Sequence, residues 1–594
     1  MTDSASPQFD YLIIGAGAAG CVLANRLSAR QDCKVLLLEA GDDLTPGREP
    51  ADIRSVFPLA AFNARYMWPD TRVHWRQVDN SPALSLPQGK ILGGSSTVHG
   101  MWALRGLPED YDEWERLGAA GWGWKGVLPI FRRLETDQDF NGSSHGHDGP
   151  VPIRREPPTA WSPLAHAVRA AATHRGFPHI EDANADFRDG HCTLPNSRFE
   201  RSRASGSCCY LDARVRRRSN LRILCNHTVR RLAFEGSRAV GAEVTKADGS
   251  AVIFRAREVI LTAGALRTPV LLMRSGIGPA EHLRAAAIAV AVERPGVGQN
   301  LQNHAVVYAV ALLKKGARET DWTIKPAAST YLRWSSGEAG CSAGDLGMYV
   351  RSYLSWHALG RRTASLAPVL LKPASRGCIS LDSSNPLSEP RIEFNFLKDS
   401  RDLPRLMTAV RLAAELFNSD ELKSVCGPGS ALRNVAAVMR FNTRSVRNAV
   451  SVGMAAALID LVPSFGSSLL AALGEMQPVS EVAANADALA EFITESITGT
   501  GHVCGTCRMG KQEDALAVVD PAGRVYGCEG LRVADASVMP NVPSGNTYIP
   551  TVMVAEKIAQ AITGSSLSQA QFATHNPRFD GWTAAHCCDD GEGV

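Results

Sequence analysis

Two stretches of this chain carry residue types at spacings suited to chemistry. Gly15-Ala-Gly-Ala-Ala-Gly20 lies between a strand-like apolar run and a helix-like one. In that setting the first glycine permits a tight turn, the second lets the backbone approach a pyrophosphate, and the third lets helix and strand pack. The helix N-terminus adds a preference for negative charge. Glu39 follows roughly 20 residues on, at the end of the next apolar run. There its carboxylate can accept hydrogen bonds from ribose hydroxyls and would repel a 2′-phosphate. Together these residues imply a dinucleotide and disfavour NADP, while NAD and FAD share the fingerprint. Cys504-Gly-Thr-Cys507 has the spacing of a redox pair but no thioredoxin-like unit around it. Cys208-Cys209 and Cys587-Cys588 have no second ligand pair nearby, so no metal is expected.

The elements that must hold these residues follow from periodicity. Phe9 to Ile14 reads as a buried strand, Ala18 to Ala29 as a helix and Lys34 to Glu39 as a second strand, one βαβ unit that opens a parallel sheet. Residues 221–262 turn β-rich again, with Leu221-Arg-Ile-Leu, Ala239-Val-Gly-Ala-Glu-Val and Glu258-Val-Ile-Leu separated by polar turns. Between them, residues 46–218 are rich in Pro, Trp, Gly and Arg without long periodic segments, which suggests covering loops and part of a second lobe. Residues 305–495 mix strand-like Pro390-Arg-Ile-Glu-Phe-Asn-Phe with helical Leu403 to Leu416, consistent with a sheet backed by helices. The apolar stretch Ala449 to Leu473 is interrupted by Asp460 and Pro463 and fails as a transmembrane helix. It reads as a buried helix pair or, alternatively, as an apolar face for a greasy substrate or a peripheral membrane contact.

With 63 basic and 60 acidic side chains the net charge is only +3, which points away from nucleic acid and toward small molecules. The cysteines are scattered without a repeating spacing, and the first ten residues lack the positive start of a secretory signal. Both favour a reducing, cytoplasmic location.

Four longer segments complete the pattern. They are Pro87-Gln-Gly-Lys-Ile-Leu-Gly-Gly-Ser-Ser-Thr-Val-His-Gly-Met-Trp-Ala-Leu-Arg-Gly106, Gly264-Ala-Leu-Arg-Thr-Pro-Val-Leu-Leu-Met-Arg-Ser-Gly-Ile-Gly278, His502-Val-Cys-Gly-Thr-Cys-Arg-Met-Gly510, and Leu531-Arg-Val-Ala-Asp-Ala-Ser-Val-Met-Pro540 with Pro543-Ser-Gly-Asn-Thr-Tyr-Ile-Pro-Thr551. In this order, from residue 9 to about 560, the chain resembles the glucose-methanol-choline (GMC) oxidoreductases. The resemblance implies an α/β fold: a Rossmann-like FAD-binding lobe (1–45, 85–110, 220–304 and 500–565) and a discontinuous α+β substrate-binding lobe with covering loops (46–84, 111–219 and 305–499). Residues 566–594 would form a tail. It also selects FAD over NAD. Gly15, Gly17, Ala18, Gly20, Glu39 and Ala40 would hold the ADP half, Val229 the adenine, and Ala263, Gly264, Asp535 and Ala536 the pyrophosphate. Gly93, Gly94, Ser95, His99, Gly100 and Met101 would lie near the flavin, with Pro550 also on the cofactor side.

The resemblance further implies oxidation of an alcohol CH–OH to a carbonyl, with hydride passing to flavin N5 and dioxygen or another acceptor closing the cycle. His502 would take the hydroxyl proton, a task suited to its ordinary pKa of about 6.5. Members of the family pair this histidine with a second His or Asn; counted back from Pro550-Thr551, that position holds Tyr548. Its phenol could orient the substrate hydroxyl, close off the pocket or have no role, and Asn546 could supply an amide if the local backbone differs. His99 stands where the first motif has Asn. Some relatives attach FAD through a histidine at the position that here holds Val98, so His99 could form a covalent link, although a hydrogen bond or stacking contact is the commoner expectation. The other histidines lack comparable context and are expected to be surface or structural. The 449–473 region favours a primary, hydrophobic or aromatic alcohol over a sugar. A lyase or light-driven decarboxylase on the same scaffold, or a flavin-binding protein with a degenerate site, are the rival readings.

Overall fold

A computed structural model describes residues 8–322, 324–382, 388–462, 468, 471–472 and 474–564. Cys587-Cys588, the 566–594 tail and parts of the 449–473 stretch lie outside the described residues.

The βαβ unit is Phe9–Ile14, Ala18–Ser28 and Val35–Leu38. Both strands are Leu/Ile/Val-rich because both faces of a parallel sheet are covered. Phe9–Ile14 pairs in parallel with Val35–Leu38 on one side and with Ala251–Leu261 on the other, and Leu221–Leu224 and Leu531–Val533 extend the parallel sheet outward. Ala251–Leu261 serves two sheets. Its first half pairs antiparallel with Arg238–Thr245, which pairs with Thr228–Glu235, and its last residues join the parallel sheet. The β-rich 221–262 block thus returns the chain to the first sheet, and the carboxyl ends of the parallel strands open one crevice, where α/β folds bind ligands.

A second, larger sheet is mainly antiparallel. Its central strands are Thr330–Trp334, Leu346–Arg351 and Thr363–Leu370, backed by the helix Asp402–Phe417. Two short strands tie this sheet to the crevice: Ala305–Val306 pairs with both Thr363–Leu370 and Thr498–Gly499.

Two readings of the sequence are corrected. Residues 46–218 contain the helices Pro108–Arg116, Trp124–Leu134 and Pro163–His174. Prolines there sit at the first helical position of two of them and inside the third, so residues that look like loop punctuation are helix starters. Residues 449–461 of the 449–473 stretch belong to the helix Val446–Leu461, which is mostly uncovered and not buried: only its Val452, Ala456 and Ile459 are buried. Val446, Val450, Met454, Leu458 and Leu461 turn outward, Leu461 being 78% exposed. Among the described residues, no helix is long and apolar enough to cross a membrane.

Candidate active site

One cleft of about 510 Å³ runs from the end of the first βαβ unit to the loop carrying His502. At its near end Gly15 adopts φ +100° and Gly20 packs against the Gly15 carbonyl, where a Cβ would come within 2.0 Å of that oxygen. No side chain fits either place. Glu39 lies buried beneath the turn, accepting hydrogen bonds from the backbone N–H of Ala16 and of Gly41, both at 2.9 Å. Burial pushes its carboxyl up to about 7, against the pull of those two donors. Gly15, Gly17, Ala18, Glu39, Ala40 and Val229 line this end of the cleft.

In the middle, Asp535 is buried and accepts from the Gly264 N–H at 2.8 Å and the Thr268 hydroxyl at 2.7 Å. It thereby fixes the Ala263-Gly264 turn, where Gly264 has φ +83° and open space where a Cβ would stand. Ala263, Gly264, Asp535 and Ala536 all face the cleft. Gly94 and Ser95 line it as well. Gly93, with φ +89°, packs instead on Thr97 and Ser207, and Pro550 is buried in the helix Tyr548–Thr563; neither these nor Gly20 lines the cleft.

His99, Gly100 and Met101 line the far part of the cleft. His99 Nδ1 accepts from the Met101 N–H at 2.6 Å, and Met101 holds an uncommon φ of 65°. Burial pushes His99 down to about 3, with Arg203 adding to the effect, so the ring is neutral. Its proton therefore sits on Nε2, a buried donor with no partner among the described residues.

His502 completes this end, and four segments meet around it. Gln302 bridges Cys504 and Ala305 pairs with Gly499 in an antiparallel arrangement that sets His304 beside His502. The Nδ1 atoms of the two rings are 2.9 Å apart. His304 Nε2 lies 3.0 Å from the Pro543 carbonyl, which can only accept, so His304 carries its proton there. Burial lowers His304 to about 4 and keeps it neutral, leaving its Nδ1 as an acceptor. His502 must then donate from its own Nδ1, to His304 and to the Thr500 hydroxyl oxygen at 2.7 Å. The lone pair of His502 is left on Nε2, which accepts from Asn546 Nδ2 at 3.0 Å. Every donor and acceptor in the chain agrees with this one tautomer. Burial, with smaller contributions from His304, His99 and Arg351, holds His502 well below its usual range.

The positioning is rigid. Asn303 Oδ1 accepts the His502 N–H at 2.8 Å. Asp110 accepts from the N–H and hydroxyl of Ser544, and Gln302 holds Pro540 and Val542, fixing the loop that carries Asn546.

Tyr548 lies elsewhere. It lines the cleft, but its hydroxyl donates to the Ala204 carbonyl at 3.3 Å and its ring packs on His99 with centroids 4.8 Å apart. Of the two, Asn546 is the one in contact with His502: Tyr548 opens the following helix, and the turn before it brings the amide two residues upstream into place. Sequence reasoning passed over His304, which is buried beside His502 and is not a surface histidine. It also passed over Thr500, Trp102, Tyr349 and Arg351, all of which line the cleft. Their segments converge only in the fold and carry no shared spacing. Cys504 and Cys507 are both buried free thiols.

The cleft fits a long, anionic dinucleotide carrying a flat ring system. It offers the Glu39 carboxylate at one end, glycine turns open to a phosphate, and the Nε2–H of His99 toward the His502 end. Comparison with known proteins bears on which dinucleotide. The N-terminal and C-terminal GMC oxidoreductase profiles match residues 9–306 and 373–555. The chain is 38% identical over 576 residues to the 5-(hydroxymethyl)furfural oxidase of Methylovorus sp., covering 95% of this chain and 99% of that one. It is 31% identical to the oxygen-dependent choline dehydrogenase of Sinorhizobium fredii, over 94% of this chain and 96% of that one. Among solved structures, pyridoxine 4-oxidase from Mesorbium loti superposes with a TM-score of 0.78 at 28% identity, over 94% of this chain and all of that one. Formate oxidase of Aspergillus oryzae, at 22% identity and a TM-score of 0.79 over 96% of this chain and 100% of that one, shares the fold.

Proposed function

The chain belongs to the GMC oxidoreductase family and is an FAD-dependent oxidoreductase of the alcohol-oxidising kind, and from that premise we propose that it converts a primary, aromatic or otherwise apolar alcohol to its aldehyde, with His502 Nε2 taking the hydroxyl proton. Gly15, Gly17, Glu39, Gly264 and Asp535 would hold the ADP half of FAD, and His99, Gly100 and Met101 would border its ring system. FAD, when bound, supplies the acceptor for the hydride that leaves the alcohol carbon.

The observation that carries this reading is the chain Pro543 O, His304, His502, Asn546. It leaves the basic lone pair of His502 on the nitrogen that Asn546 shares. Nε2 has one lone pair, so the alcohol O–H displaces the Asn546 Nδ2–H from it as the proton passes, and the freed amide N–H can then donate to the alcohol oxygen. A histidine held neutral in this way is ready to accept a proton throughout the neutral range. As the alcohol proton arrives, the Nδ1–H bonds to His304 and Thr500 stabilise the imidazolium. A base placed so contributes about 10²–10⁴-fold to such a step. The apolar preference rests on Trp102, Tyr349 and Tyr548 in the cleft wall. It no longer rests on the 446–461 helix, whose apolar side chains face outward. Tyr548, with its hydroxyl engaged by Ala204, closes the cleft behind His99. We propose dioxygen as the acceptor, in keeping with the oxidases among the relatives.

Adding benzyl alcohol to the purified protein anaerobically in the dark should bleach the flavin absorbance, and readmitting air should restore it with release of peroxide. A flavin left unchanged by aromatic, aliphatic and sugar alcohols alike would overturn this reading and favour a degenerate or non-oxidative site.

A further inference from the structure

The strand Leu346–Arg351 ends at the cleft, and its alternation points Tyr349 and Arg351 the same way. The Arg351 guanidinium lies 5.5 Å from the centroid of Trp102 and 6.0 Å from that of Tyr308. The guanidinium thus lies over these rings, and its N–H groups make no hydrogen bond to any of the described residues. No carboxylate among the described residues pairs with it, unlike Arg267, which also lines the cleft and is bridged to Glu389 at 3.2 Å. Tyr349 is only 2% exposed, yet its hydroxyl has no hydrogen-bond partner among the described residues. Its ring packs on Trp102 with centroids 4.5 Å apart. A cation without a counter-ion and a buried phenol without a partner thus share one side of the same cleft as His502.

Buried polar groups are normally satisfied, and a pair left open toward a cavity marks what the cavity accepts. A guanidinium fork flanked by a phenol O–H matches a carboxylate, which can take two parallel N–H bonds and one O–H bond. Resting on the alcohol-oxidising reading above, we infer that Arg351 and Tyr349 form a carboxylate subsite, and that the preferred substrate is a compact alcohol carrying a carboxylate at the end remote from its CH₂OH group. The proton and hydride of the alcohol leave at the His502 end while the carboxylate stays bound and unchanged. A cationic alcohol would meet the guanidinium unfavourably, so this chain parts from relatives named for choline.

The test compares 4-(hydroxymethyl)benzoate with benzyl alcohol on the FAD-loaded enzyme. Wild type should show the higher kcat/KM for the carboxylate, through KM. In Arg351→Met the ratio of the two kcat/KM values should fall at least tenfold, and Arg351→Lys should recover part of it. Calorimetric titration with unreactive 4-methylbenzoate reads the subsite without turnover: binding should weaken about tenfold or more in Arg351→Met and several-fold in Tyr349→Phe. An unchanged ratio together with unchanged 4-methylbenzoate binding would overturn the subsite while leaving alcohol oxidation standing. Failure of both alcohols to reduce the flavin, with 4-methylbenzoate still bound through Arg351, would instead overturn the oxidation reading and keep the subsite.

Discussion

Two histidines enclosed by this protein end in opposite charge states. His502 hydrogen-bonds to neutral groups, His304, Thr500 and Asn546, and burial, with smaller contributions from His304, His99 and Arg351, drives it well below its usual range. His145, 3% exposed, lies within 3.1 Å of Glu135, 3.0 Å of Asp137 and 2.7 Å of Asp182. Burial works against its charge too, yet the carboxylates outweigh it and raise it to about 10. Arg105 and Arg155 complete that network on Glu135, Asp137 and Asp182. The comparison shows that enclosure alone does not set a histidine's role. The partner does: an acid makes it a fixed cation that pins a structure, whereas an amide and a second neutral imidazole keep it a base.

The sharpest way to break the comparison is to remove each ring. Replacing His502 with Asn should slow anaerobic flavin reduction by about 10²–10⁴-fold while the protein retains FAD, read by stopped-flow absorbance. Replacing His145 with Leu should leave the rate per folded molecule near wild type but destabilise the protein by about 3 kcal/mol, because it strands part of a buried acid cluster. Denaturant unfolding measures that loss.

Exchanging partners sharpens the contrast. Asn546→Asp puts a carboxylate beside His502 Nε2, and should raise its pKa by roughly 1–3 units. The acid limb of the rate profile would then move upward toward neutrality. The smallest effect concerns stability against pH. His145 has a folded pKa raised to about 10, above its unfolded value of about 6.5, so its stabilisation is fully present below the unfolded value. It is lost as pH rises through the folded one. Asp137 is shifted downward, burial being outweighed by His145 and Arg155. Its contribution is therefore present above an unfolded pKa of about 3.9 and lost on acidification. Unfolding midpoints from neutral pH to about 10 should decline in wild type and decline less in a His145→Gln variant.

Much of this was legible in the chain and the rest was not, for physical reasons. The turn at Gly15 to Gly20 and the carboxylate of Glu39 are local demands of one βαβ unit, so they read directly from spacing. His502 was marked by the residues around it. His304, by contrast, reaches His502 only because two short strands from distant segments pair, and Arg351 reaches the cleft only because an antiparallel strand ends there. Asn546 and Tyr548 differ by two residues in a turn before a helix, and counting along the chain could not say which faces His502. The apolar residues of the helix Val446–Leu461 announce hydrophobicity, but composition does not say whether a face is covered.

The measurement that bears most directly on the central claim is the pH dependence of anaerobic flavin reduction by a saturating primary alcohol. A neutral, acid-free His502 predicts a rate that holds its plateau from about pH 8 through and below the ordinary histidine value of about 6.5. A rate that falls with an apparent pKa at or above 6.5 would mean that His502 titrates as a solvated or acid-paired histidine, and would contradict the account.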